Sequence, residues 1–201
     1  MKLPSDFRDA FIQAKRMLDQ GNVLEAERIL RRLAKTGAYR HFALEALADL
    51  YIQQRRIEEC LKILRELVEI DLENLNYSVK LANLLDSIGD TDAAIGAYTR
   101  LIQHKPDEAI AHFNIALLYK KQERFEEAIS AYEQAARLGI DRVEEVYSNM
   151  GNLYSEMLDA DRAREMYRRA VEIAPDNVSA LFNLAGLLEE SGEKQQAIEI
   201  Y

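Results

Sequence analysis

Small apolar residues recur along this chain with a period far longer than one helical turn, so the pattern is that of a repeat. They stand at Ala14, Ala48, Ala82, Ala116, Gly151 and Ala185, at successive separations of 34, 34, 34, 35 and 34 residues. A second small series, Ala26, Cys60, Ala94, Ala128, Ala163 and Ala197, follows twelve residues behind with the same separations. Taking Phe7 as position 1, the units are 7–40, 41–74, 75–108, 109–143, 144–177 and a partial 178–201, and the extra residue lies near Gly139-Ile140-Asp141. The small residues are then positions 8 and 20. Position 7 is mostly large and apolar (Leu47, Leu81, Ile115, Met150, Leu184), and so is position 11 (Met17, Tyr51, Leu85, Tyr119, Tyr154, Leu188). A spacing of four puts both on one face of a helix. Position 24 (Leu30, Leu64, Tyr98, Tyr132, Tyr167, Tyr201) lies four after the second small residue and predicts a second amphipathic helix. Gly21, Gly89 and Gly192 at position 15 separate the two helices, where a residue able to take positive φ ends a helix without strain. Pro106 and Pro175, at position 32, fall outside both.

Side chains this small let two antiparallel helices approach closely, and the larger apolar residues fill the space between one pair and the next. A single pair cannot bury its apolar face, so stacking supplies the core as a line of nearest-neighbour interfaces. The predicted fold is all-α, a solenoid of antiparallel helix pairs forming one array over residues 1–201. The pattern resembles the tetratricopeptide repeat. Its match is fullest at Asn149-Met150-Gly151-Asn152-Leu153-Tyr154, followed by Ala163, Tyr167, Ala170 and Pro175. No tryptophan stands at position 4, and the first two units lack the late proline. The resemblance implies a right-handed superhelix whose first helices line a concave groove, and a non-catalytic protein–protein interaction scaffold that binds an extended peptide or partner segment there.

By that resemblance, positions 2, 5, 6, 9, 12 and 13 face the groove. Position 6 reads Ile12, Ala46, Lys80, Asn114, Asn149 and Asn183, and Asn83 and Asn152 add amides at position 9. An amide both donates and accepts, so Asn114, Asn149 and Asn183 suit the N–H and C=O groups of an extended peptide. The alternative is that these amides tie neighbouring helices together. Ile110, Phe113 and Phe182 either grip apolar ligand side chains or pack internally. Asn76, Lys80 and Lys121 complete the candidate peptide-binding residues. The family's carboxylate clamp needs cations at defined groove positions. Units three to five offer Val79, Asn83, Asn114, Glu145 and Asn149 there, and in units one to three Phe11, Ala46 and Asn76 break the set around Lys15 and Lys80, so no such clamp is expected.

Charge changes the picture of partners. The chain carries a net charge of −9, which disfavours nucleic acid and acidic membrane surfaces. The first unit, by contrast, holds eight basic and four acidic residues, and Arg28, Arg31, Arg32 and Lys35 run along its second helix. A solvated outer face is the plain reading of that run, and an acidic partner or an RNA backbone is the other. The N-terminal residues form no secretory apolar core and nowhere do some eighteen apolar residues follow one another, so a cytoplasmic chain is expected. Cys60 takes a small position and reads as a packing thiol. His104 and His112 lack ligand companions at metal spacing, and no phosphate loop, HExxH or nucleophile elbow appears. No catalytic residue, metal or cofactor is expected.

Tyr201 falls at position 24, inside a second helix without a polar cap, so a fragment of a longer chain is expected, with the open end associating with a second copy. Gly139-Ile140-Asp141 and the stretch Glu144-Glu145-Val146-Tyr147-Ser148-Asn149 also resemble repeats preceding sulfotransferase domains in bacterial proteins. That resemblance implies the alternative role of a substrate-positioning region in a larger enzyme.

Overall fold

A computed structural model describes residues 4–35, 37 and 39–200. Tyr201, on which the reading of an uncapped sixth pair turns, lies outside the described residues. The described residues fall into two compact units, divided between His104 and Lys105. The first holds α1 (Ser5–Asp19), α2 (Val23–Leu33), α3 (Arg40–Gln53), α4 (Ile57–Ile70), α5 (Leu75–Ser87) and α6 (Thr91–His104). The second holds α7 (Ala109–Lys121), α8 (Phe125–Arg137), α9 (Val143–Glu156), α10 (Ala160–Ile173), α11 (Val178–Glu190) and α12 (Lys194–Ile200). No strand occurs among the described residues, and the fold is an all-α helical-repeat solenoid. In the first unit α1 packs on α2, α3 on α4 and α5 on α6, with α2 against α3 and α4 against α5. In the second, α7 packs on α8, α9 on α10 and α11 on α12, with α8 against α9 and α10 against α11.

The two small series stand where the helices of each pair meet. Ala14, Ala26, Ala48, Cys60, Ala82, Ala94, Ala116, Ala128, Ala163, Ala185 and Ala197 are all at most 1% exposed. Leu47, Met150, Leu30, Leu64 and Tyr132, from the large series, are buried beside them. The Cys60 thiol donates to the Ala48 carbonyl at 3.6 Å, across its own helix pair. Burial pushes this thiol up to about 11, with Asp49 adding to the shift.

Helix starts are fixed locally. The side chains of Asn74, Asp159 and Asn177 accept from the backbone N–H of Tyr77, Arg162 and Ala180 at 3.2, 3.1 and 3.0 Å, capping α5, α10 and α11. Position 15 takes positive φ in every repeat. Glycine supplies it at Gly21, Gly89 and Gly192, but Arg55, Glu123 and Leu158 adopt φ of 57°, 58° and 62° without a glycine's freedom. The extra residue of the fourth repeat is taken up after α8, where Gly139 turns at φ 77° and Ile140 is buried. Among the described residues no helix is long and apolar enough to cross a membrane.

Candidate functional site

The candidate residues lie on the first helices of the pairs. In the first unit these helices are tied side by side by polar rungs. Lys80 on α5 donates to Asp49 Oδ1 on α3 at 2.5 Å, and the Tyr77 hydroxyl donates to Glu45 one turn earlier. Lys80 is therefore half-buried and already paired, whereas Asn76 and Asn83 are exposed.

The second unit repeats the same rung with different chemistry. Asn183 Nδ2 on α11 donates to Asn152 Oδ1 on α9 at 3.0 Å, and that oxygen also accepts the Tyr167 hydroxyl at 2.7 Å. Burial pushes the Tyr167 phenol up to about 12, so it stays a protonated donor at neutral pH. Lys120 on α7 meets Glu156 on α9 at 3.2 Å. Position 6 of one repeat thus meets position 9 of the repeat before it. Asn149 follows the same register, but position 9 before it is Leu117, which has no polar group to offer. Among the described residues neither Asn114 nor Asn149 makes a side-chain hydrogen bond, and both amides are only half-buried. Asn152 and Asn183 serve as ties, the alternative raised for this series.

The apolar candidates divide in the same way. Phe113 is 5% exposed, edge-on to Tyr132 with centroids 5.5 Å apart, and covered by the Arg142 guanidinium 5.0 Å from its ring. Its side chain belongs to the interior. Ile110 and Phe182 remain exposed, Phe182 by 64%. Leu117, which sequence reasoning did not single out, is exposed on the same helix as Ile110; its position 9 was a signal that could have found it. Lys121 is exposed, with an interaction of its own among the described residues.

A polar cluster that sequence reasoning missed sits among α2, α3 and the start of α4. Glu27 is buried; its Oε1 accepts the Tyr51 hydroxyl at 3.0 Å and meets Arg31 at 2.7 Å, while Oε2 accepts Arg56 Nη1 at 2.8 Å. The Arg56 guanidinium lies 4.4 Å from the centre of the Tyr51 ring. The bond from Arg56 holds the Glu27 carboxyl below the ordinary carboxylate range, against the opposing effect of burial. Partners 24 and 29 residues away leave no local signature. Among the described residues no group of three or more His, Cys, Asp or Glu side chains is placed to hold a metal ion. His112 instead bonds the Pro106 carbonyl at 2.9 Å.

Family models described as tetratricopeptide repeat match this chain over residues 107–176 and 142–201, over 79–110, and over 43–74. Human protein O-mannosyl-transferase TMTC1 is 26% identical over 167 residues, covering 82% of this chain and 19% of that protein. BBSome complex member BBS4 of Bos taurus is 26% identical over 172 residues, covering 85% of this chain and 33% of its own. The chain thus spans a third or less of these relatives. A crystal structure of a tetratricopeptide repeat protein from Parabacteroides merdae superposes with a TM-score of 0.72 at 16% identity, covering 98% of this chain and 78% of the other. Repeats of this kind imply a protein–protein interaction scaffold. The chain belongs to the tetratricopeptide repeat family.

Proposed function

We propose that this chain is a non-catalytic scaffold that holds an extended partner segment against its first helices, through main-chain contacts to Asn114 and Asn149. One observation carries the reading: among the described residues these two half-buried amides have no side-chain partner, whereas Lys80 and Asn183, at the same repeat position, are used within the fold. A primary amide offers a donor and an acceptor together, so each can meet a peptide N–H and C=O without reading its side chains. Each such bond contributes about 0.5–1.5 kcal/mol net, which gives modest and broad affinity. Ile110, Leu117 and Phe182 supply exposed apolar surface on the same set of helices for the segment's side chains. Membership of a complex, the property that the name of BBS4 states, agrees with such a role.

The test uses peptides selected on this chain from a displayed library. Asn114→Ala combined with Asn149→Ala is expected to raise their Kd several-fold with the far-ultraviolet circular dichroism unchanged, and N-methylation of the peptide backbone at the contacted residues should have a similar effect. Equal capture by the double variant overturns the assignment.

A further inference from the structure

A second surface lies within the first unit. Helices α2, α3 and α4 surround an open cleft of about 470 Å3. Leu44 and Leu47 are buried beneath it, half-buried Ile63 supplies open apolar surface, and Arg31, Lys35, Arg40 and Lys62 line it as well.

Repeat register explains both the opening and its charge. Lys35 occupies the repeat position of Glu69, and Glu66 that of Arg100. Between α4 and α6 this pair of positions carries a two-pronged ion pair, Arg100 reaching both Glu69 oxygens, one of them at 2.8 Å. Between α2 and α4 the bridge is not made, because Glu66 is engaged by Arg40 at 3.1 Å. Glu59, the other acid of the cleft, is engaged by Arg56 at 2.9 Å. Arg31 is held by Glu27 and by the Tyr51 hydroxyl at 3.0 Å. Lys35 and Lys62 are exposed and have no ion-pair partner among the described residues. The surplus charge of the rim is therefore positive; Arg31, Lys35 and Arg40 come from the basic first repeat, whereas Lys62 comes from the second repeat, which is acidic.

We propose that this cleft docks an acidic segment of a partner protein, with one apolar side chain against Ile63 and carboxylates at Lys35 and Lys62. A bare anion would leave the open surface of Ile63 in water, and an uncharged apolar segment would leave the two ammonium groups unanswered. The two demands together select a segment that carries both chemistries, and complementary charge at the rim governs approach and salt dependence.

The experiment measures fluorescence anisotropy of the full chain with a labelled synthetic peptide, a run of glutamates interrupted by one leucine. Saturable binding is expected, weakening as salt rises. Lys35→Glu combined with Lys62→Glu should raise the Kd at least tenfold; both side chains are exposed, and circular dichroism checks that the fold is kept. Replacing the peptide's leucine by serine should raise it several-fold. Asn114→Ala with Asn149→Ala should leave this binding unchanged, so this site and the first-helix reading fail separately. No saturable binding, binding indifferent to the charge reversal, or equally tight binding of a leucine-free polyglutamate or a single-stranded RNA oligomer overturns the proposal.

Discussion

The Tyr167 ring lies over Gly151 so closely that a Cβ on the glycine would fall 2.5 Å from Tyr167 Cε1 and 2.6 Å from Cδ1. In the fourth repeat the corresponding residues are Ala116 and Tyr132, and there the ring packs edge-on to Phe113. The fifth repeat has Ser148 at the place of Phe113, and its tyrosine lies instead over the glycine with its hydroxyl on Asn152. Gly151→Ala is therefore expected to destabilise the chain by about 1–3 kcal/mol through overpacking, more than the helix propensity gained from alanine returns. Combining it with Tyr167→Leu recreates the alanine–leucine pairing of Ala14 with Leu30 and Ala48 with Leu64. Urea unfolding of both single variants and the double should show a loss smaller than the sum. Additive losses would mean that the two residues do not meet as described.

This pair also shows what the sequence carries and what it withholds. The twelve helices among the described residues follow from two small series in phase, because residues at backbone crossings have no freedom in size, and the alanines and Cys60 of those series are buried. The register likewise gives Asn114 and Asn149 the same repeat position. Whether Asn149 or Asn183 is spent within its unit follows what stands 32 or 31 residues earlier, Leu117 for the first and Asn152 for the second, as Asp49 does for Lys80. Reading position 6 alone treats all of them as equivalent. Phe113 was ambiguous for a similar reason, since the Arg142 that covers it follows the one-residue insertion.

Leu158 occupies a turn at φ 62° while its side chain is 91% exposed. A left-handed conformation costs a residue with a Cβ roughly 1–2 kcal/mol, and here no packing compensates. Gly21, Gly89 and Gly192 hold the same place without that cost. Leu158→Gly is expected to stabilise the chain by about 0.5–1 kcal/mol, somewhat less than the strain because glycine also loosens the unfolded chain. The urea midpoint should rise at constant slope. A lower midpoint would show that the turn is unstrained.

Cys60 should behave as a packing residue. The thiolate is the reactive form, and burial raises this thiol to about 11 while its proton is directed at the Ala48 carbonyl. At pH 8 a disulfide reagent such as Ellman's should label the folded chain only slowly and the urea-unfolded chain at the rate of a free thiol. Rapid labelling of the folded chain would place Cys60 at an accessible surface.

Glu27 links acid stability to the first repeat pair. Because the Arg56 bond, assisted by Tyr51 and Arg31, holds its folded pKa below the unfolded value of about 4.3, its contribution is fully present above that value and disappears as pH falls through the folded one. Glu27→Gln keeps the volume but removes the charge that answers Arg31 and Arg56, at an expected cost of about 1–3 kcal/mol at pH 7. As pH falls below the unfolded value and on through the lower folded one, the unaltered chain protonates the same carboxyl, so the two stabilities should converge. Urea titrations of both chains from pH 7 to pH 3 measure the gap. A gap that stays constant across this range would assign the loss to packing or to the neutral hydrogen bond with Tyr51, and would remove the ion cluster as the source of the stability.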